Sequence, residues 1–261
     1  MKKNIRSIIE TAFRQYHKPQ YMNMDPIEYV HAVSGNANRE LAGLLASSLA
    51  YGRVETIRAN IQRLFAMAEK DLCTFVDTVP YVEKCRMLSG FKHRFNDGTD
   101  IALLCEAMRK VRAEYGSLES LFVAGMKRSD MHEALTAFTF SLRSHAHDIA
   151  GNIATSFAYL LPSPVNGSAC KRLNMFLRWM VRRNDGIDLG LWTHVDPEML
   201  IMPVDTHVAA LSRILKLTTR KTVDWRMAVE ITAAFKKISP SDPVKYDFSL
   251  CRAGMIDFRT A

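Results

Sequence analysis

The segment Pro203-Val204-Asp205-Thr206-His207-Val208 places a carboxylate directly after a Pro-Val break and at the head of an apolar-periodic stretch, Val208 to Leu217. Upstream, Lys171 follows a glycine-containing turn, Val165-Asn166-Gly167-Ser168-Ala169-Cys170. An amine and a carboxylate, each at the mouth of a helix in a basic protein, are the parts needed for attack on a sugar carbon of DNA. Taken alone, Asp205 reads first as a helix N-cap, because Asp is a preferred capping residue and a helical pattern follows. A cap also fixes where a carboxylate sits, so capping and chemistry are compatible. His207 falls on the same first turn, where a surface or hydrogen-bonded histidine is the simpler reading.

The turn before Lys171 has its own chemistry. Gly167 supplies a permissive backbone position. Ser168 or Ala169 then begins a helix whose first amides have no intrahelical acceptor, and such amides suit a phosphate. On its own, this segment reads first as an ordinary helix–turn–helix corner. The helix from Cys170 to Asn184 carries Lys171, Arg172, Arg178, Arg182 and Arg183 and no acidic residue. Arg178 and Arg182 are four apart and share a face. A solvated charged face is the default for such a run, but the absence of Asp and Glu favours a track of phosphate contacts. His145-Ala146-His147-Asp148 resembles a metal-ligand cluster only on paper, since residues two apart on a helix point to different sides.

These residues must be held by helices. Apolar side chains recur at three- and four-residue intervals in Ile5–Phe13, Arg39–Tyr51, Val54–Ala68, Ile101–Tyr115 and His132–Ser144. The pattern continues in Cys170–Arg183, Thr206–Leu217, Trp225–Ile238 and Pro243–Ala253. Two-residue alternation is scarce, so the expected class is all-α. Breaks fall at 23–26, 96–100, 162–167, 184–203 and 239–243, and none is long and of low complexity. One globular helical unit over 1–261 is therefore expected, with the hairpin and the chemistry-bearing region at 161–254.

Composition narrows the partner. The net charge of +8 and the pI of about 9.3 favour a polyanion, nucleic acid first and a membrane surface second. A hydrophobic fraction of 48% is enough to build a full core and argues against a disordered chain. Cys73, Cys85, Cys105, Cys170 and Cys251 are odd in number, widely spaced and without a CxxC pair, which disfavours a disulfide framework, a zinc knuckle and a cysteine-ligated cluster. Met1-Lys2-Lys3-Asn4-Ile5-Arg6 is followed by no long apolar run, so no secretion signal is expected, and no stretch reaches the ~20 apolar residues of a membrane span. The 14 methionines read as fillers of core gaps.

Together these segments resemble the helix-hairpin-helix DNA glycosylase superfamily, which includes endonuclease III and the 8-oxoguanine glycosylases. Gly167-Ser168-Ala169-Cys170-Lys171-Arg172-Leu173-Asn174 resembles its hairpin and following helix. Pro203-Val204-Asp205-Thr206-His207 resembles its aspartate segment, Arg213-Ile214-Leu215-Lys216-Leu217 the continuation, and Asp242 to Gly254 its closing helix. More narrowly, Lys171–Met180, Gly190–Trp192, Asp242–Phe248, Ala50-Tyr51-Gly52-Arg53 and Phe91-Lys92-His93-Arg94-Phe95 are similar to an uncharacterised bacterial domain family affiliated with that superfamily. The chain also departs from the pattern. Ala169 stands where the hairpin usually keeps a second glycine, and Leu49, Ala50 and Tyr51 occupy the region of a gap-filling Gln. The Lys171-to-Asp205 segment is longer than in endonuclease III and closer to the archaeal 8-oxoguanine enzymes, and the C-terminal cysteine cluster is missing.

The resemblance implies a two-lobed helical fold and a base-excision glycosylase acting on a flipped damaged base in double-stranded DNA. Lys171 would be the nucleophile of a Schiff-base, abasic-site lyase step, and Asp205 the catalytic carboxylate. Gly167, Ser168, Ala169, Arg172, Arg178 and Arg182 would contact DNA. Tyr51, Phe91, Trp192 and His207 are the base-pocket candidates, with core packing the competing role for the aromatic ones. No cofactor and no metal are expected. The expected setting is a monomer in the cytoplasm, at the nucleoid if bacterial. The alternative expectation is a non-catalytic binder of damaged or abasic DNA that keeps the fold.

Overall fold

A computed structural model describes residues 3–127, 130–183 and 185–257. Met1 and Lys2, at the head of the opening segment, and Asn184, at the head of the 184–203 break, lie outside the described residues. Helices dominate in chain order: α1 (Lys3–Tyr16), α2 (Ile27–His31), α3 (Asn36–Ser48), α4 (Val54–Met67), α5 (Leu72–Asp77), α6 (Tyr81–Met87) and α7 (Gly98–Tyr115). They continue as α8 (Leu118–Gly125), α9 (Met131–Ala150), α10 (Thr155–Leu160), α11 (Lys171–Val181), α12 (Thr206–Ile214), α13 (Trp225–Lys236) and α14 (Asp247–Asp257). Between α6 and α7, the two-residue strands β1 (Lys92–His93) and β2 (Asn96–Asp97) pair antiparallel, Lys92 opposite Asp97 and His93 opposite Asn96. The protein is thus mostly helical, as its periodicity predicts. No helix among the described residues is long and apolar enough to cross a membrane.

Short polar side chains cap six of the described helices, each satisfying amides that the helix cannot. Asp71, Ser117, Asp130, Asp205 and Asp224 each accept a hydrogen bond from a first-turn amide of α5, α8, α9, α12 and α13. Asp97 and Asp100 form a reciprocal capping box at the start of α7. The closing helix starts four residues later than its apolar pattern suggests. Residues 243–246 form turns instead, with the Asp247 amide bonded to the Val244 carbonyl at 3.0 Å. α12 ends at Ile214 rather than Leu217, where Lys216 turns the chain with φ of 54°.

Where one unit was expected over 1–261, the chain divides into two compact units. The central unit is Pro26–Ser163, and the composite unit joins Met1–Asp25 to Pro164–Ala261. Absence of a low-complexity linker does not bear on this division, because the chain crosses between units at two tight points, Asp25-Pro26 and Ser163-Pro164. In the central unit α7 packs on α9, α8 and α6, and α2 on α3. Leu44, Leu45, Ile61, Leu104, Phe122 and Phe138 are among its fully buried side chains. In the composite unit α14 packs against both α1 and α12. Its core gathers Ile9 with Met202, Val204, Val208, Met227, Ile231, Phe235 and Tyr246. Each such apolar side chain removed from water contributes about 1.5–3 kcal/mol, and Val208 and Ala209 bring the start of α12 into this core.

Candidate active site

The chemistry-bearing turn begins with a short 3-10 segment, Pro164–Asn166. Gly167 follows with φ of 75°, its amide bonded to the Pro164 carbonyl at 2.9 Å and its own carbonyl accepting from the Trp225 amide at 3.1 Å. A Cβ on Gly167 would meet nothing within 4 Å, so the glycine is required by backbone conformation and not by a close neighbour. Ala169 is buried, and the second left-handed residue is Cys170 (φ 48°, ψ 37°), the residue before α11. The Ala169 carbonyl accepts from Asn174 Nδ2 at 3.0 Å, and the Cys170 amide donates to Ser168 Oγ at 3.1 Å. The loop is thereby tied to the helix it starts.

Lys171 is the first residue of α11, half-buried, with Nζ donating to Met175 Sδ at 3.5 Å one turn along. Asp205 is the N-cap of α12, half-buried behind the buried Pro203 and Val204, and its Oδ1 accepts from the Val208 amide at 2.9 Å. The carboxylate is therefore a cap, and the bond to the Val208 amide fixes its position. Both charges act on the same two groups of α14. At Asp247 burial raises the carboxyl, Arg178 and Lys171 oppose that rise and Asp205 reinforces it, leaving the group at about 6. Burial likewise pushes the Cys251 thiol up to about 11, with Lys171 and Asp205 again among the charges it feels. Lys171 and Asp205, 34 residues apart in sequence, are thus brought within electrostatic reach of one helix face. Nothing in the local sequence marks Asp247 or Cys251 as a neighbour of these charges.

The phosphate track on α11 is corrected by the structure. Arg178 is only 2% exposed, with Nε 3.1 Å from Asp188 Oδ1 and Nη1 2.5 Å from Asp247 Oδ2. Arg182, also buried, pairs with Asp188, with Asp185 at 3.1 Å and with Asp242 at 3.0 Å. Arg172 is buried too. An arginine held by internal carboxylates has neither the exposure nor the free charge for a DNA phosphate. Acids absent from α11 itself arrive from the loop after it and from the segment leading into α14. The spacing of Asp185, three after Arg182, was the one local hint.

This network places four carboxylates around two guanidiniums, and the surplus negative charge divides them. Burial works against ionised Asp185, but a 2.7 Å bond from His17 and the Arg182 charge outweigh it and hold the carboxyl well below its usual range. Burial dominates at Asp242 and Asp247, which are both raised. A cleft of about 560 Å³ opens beside the network, lined by Arg182, Arg183, Asp185, Asp196, Glu198 and Asp242. An anion there would face more acids than bases, and the cleft reaches neither Lys171 nor Asp205.

The base-pocket candidates separate cleanly. Trp192 is 3% exposed and meets Phe176 edge-on with centroids 5.3 Å apart, so it is core. Phe91, 2% exposed, is core of the central unit. Both corrections have the same cause, since a large ring next to glycines or charged residues in sequence still gains most by burial. His207 is exposed on the first turn of α12. Tyr51, in the central unit, is half-buried, and its single hydroxyl proton is shared between the His93 carbonyl at 2.9 Å and Asn96 Oδ1 at 2.5 Å. His145, from the His-Ala-His-Asp run, instead lies 3.3 Å from Glu114 through Nε2. Among the described residues, no group of three or more His, Cys, Asp and Glu side chains is arranged to hold a metal.

Neither the curated proteins nor the solved structures compared with this chain give a match. A family model does match, over residues 25–256, nearly the full length of the chain. The chain belongs to the family described as "Protein of unknown function (DUF2400)".

Proposed function

We propose that this protein is a helix-hairpin-helix-type DNA glycosylase, acting on a flipped damaged base, with Lys171 as nucleophile and Asp205 as its catalytic carboxylate. The observation that carries this reading is the placement of the two residues at helix starts of one compact unit. Each stands at the start of its own helix, and both act electrostatically on Asp247 and Cys251 of α14. In the reaction, the base would leave with the electron pair of its glycosidic bond while ionised Asp205 stabilises positive charge developing on the sugar. The neutral amine of Lys171 would attack C1′; its two protons pass through solvent to the departed base and to O4′ as the C1′–O4′ bond breaks, which leaves an imine at C1′. Attack requires the neutral amine, and Lys171 is held half-buried as the first residue of α11.

Gly167 and Ser168 remain the DNA contacts of this reading, through an exposed turn and a half-buried one. Arg172, Arg178 and Arg182 leave it, since they are buried.

The test is incubation of the protein with duplex oligonucleotides carrying abasic sites and common base lesions, followed by borohydride. A covalent adduct that Lys171→Gln abolishes is the expected outcome. Base release without an adduct would assign a monofunctional reaction through Asp205 and water. Binding to such DNA with neither base release nor adduct would leave a non-catalytic binder and overturn the enzymatic reading.

A further inference from the structure

Two sequence segments that the proposed chemistry does not use, Ala50-Tyr51-Gly52-Arg53 and Phe91-Lys92-His93-Arg94-Phe95, meet in the central unit. β1 and β2 are joined by only two residues, Arg94 and Phe95, and Arg94 has φ of 53°. Such turns favour Asn and Gly, which adopt positive φ at little cost. A cation and a large ring stand there instead. Phe95 is 56% exposed and Tyr159 beside it 43% exposed, their centroids 5.3 Å apart. Tyr159 meets Tyr51 at 5.0 Å, and the Tyr51 and Phe95 rings lie within 5° of parallel with centroids 6.4 Å apart. The Arg94 guanidinium carbon sits 5.3 Å from the Phe95 centroid.

Behind the rings lies a polar network that fixes them. The Tyr51 hydroxyl proton is shared between the His93 carbonyl and Asn96 Oδ1, and the Tyr51 carbonyl is 3.0 Å from His93 Nε2. Asn96 Nδ2 donates at 2.7 Å to both Asp100 and the Ser156 carbonyl, and the Ser156 hydroxyl donates to Asp100 at 3.1 Å. His93 and Asn96 are fully buried. Gly52, with φ of 106°, clears space for the Arg94 stem; a Cβ there would stand 2.9 Å from Arg94 Cδ. Desolvated polar bonds thus anchor the base of a hairpin whose tip ring stays in water. Aromatic side chains normally gain by burial, so a rigid mount for exposed ones points to a ligand with a flat apolar face.

We propose that Phe95 and Tyr159 form a stacking platform for an unpaired nucleobase of a DNA strand, with Arg94 and the exposed Arg53 and Lys92 flanking its phosphates. The charge pattern favours this occupant. Cations border the rings, and the one exposed acid of the hairpin, Asp97, is engaged by the Thr99 and Asp100 amides as the cap of α7. An aromatic face beside arginines fits a base joined to a phosphate, and every base has such a face. The choice of DNA rests on the function proposed above, but the platform depends on neither Lys171 nor Asp205.

The test is fluorescence anisotropy of the full chain with labelled single-stranded oligodeoxythymidine and with the same length of fully paired duplex. Phe95→Ala and Tyr159→Ala should each weaken single-strand binding about tenfold, Phe95→Trp should retain it, and duplex binding should be unchanged. Thermal melts should show both alanine variants folded, since the rings they remove are exposed. Single-strand affinity unchanged in both alanine variants overturns the platform, and so does an equal loss on single strand and duplex. The two proposals fail separately. Phe95-dependent binding without any borohydride adduct keeps the platform and sinks the lyase. A Lys171 adduct with Phe95-independent binding does the reverse.

Discussion

Arg178 and Arg94 carry the same guanidinium into opposite surroundings. Arg178 sits on the inner side of α11, walled by Asp188, Asp247 and the Phe248 ring, whose centroid is 5.8 Å from its guanidinium carbon. Arg94 sits at an exposed hairpin tip over Phe95, with Gly52 making room for its stem. What separates them is where carboxylates arrive in the fold. The first arginine is a structural cation that neutralises buried acids, and its charge is invisible to a ligand. The second keeps its charge in water beside an apolar face, where a nucleic acid can use it. A basic composition therefore says little about which cations meet a polyanion until internal acids have been paired off.

The comparison breaks most sharply in stability. Arg178→Ala leaves Asp247 buried without its arginine and Asp188 with Arg182 alone, and should destabilise the fold by ~3–5 kcal/mol in urea unfolding. Arg94→Ala should leave the urea midpoint in place while weakening single-strand DNA binding. Equal stability of the two variants would mean that the network on α11 is not what holds that helix to α14.

Titration sharpens the same contrast. The Asp247 carboxyl, at about 6, lies above its usual 3.8 because burial outweighs Arg178. The folded state therefore binds more protons than the unfolded one in that window. Its stabilisation is fully present below about pH 3.8 and is lost as pH rises through about 6. Asp185 runs the other way, its contribution present above 3.8 and lost as pH falls. Urea midpoints measured from pH 4 to 7 should decline less with rising pH in Asp247→Asn than in the parent protein. Parallel curves would place the excess proton elsewhere in the network.

A smaller effect separates capping from chemistry at the second helix. Asp205→Ala removes the bond to the Val208 amide and should cost about 1 kcal/mol, read as a lower melting temperature. Asp205→Asn keeps a capping oxygen and should change stability by only a few tenths of a kcal/mol, while still losing base release. If Asp205→Asn releases base like the parent protein, the carboxylate is a cap alone.

Much of this was legible in the sequence. α3, α4, α7, α9, α11, α12 and α13 follow from apolar spacing, and Asp205 and Lys171 were correctly placed at helix starts. The short α2, α5, α6, α8 and α10 span too few turns for a period to declare itself. Two-residue strands cannot show alternation, so the hairpin carrying Phe95 has no strand signal, and only its end, from Asn96, reads as a break. The basic face of α11 misled for a different reason. Acid-free composition within one helix is local, whereas Asp188 and Asp247 are delivered by tertiary structure. Trp192 and Phe91 misled likewise, because burial of a ring is decided by its neighbours in space.

The most direct measurement of the central claim is mass spectrometry of the borohydride-reduced complex between this protein and DNA containing an abasic site. One reduced adduct is expected, located on the tryptic peptide that contains Lys171, absent from Lys171→Gln and weakened in Asp205→Asn. An adduct on another lysine that persists in Lys171→Gln would contradict it.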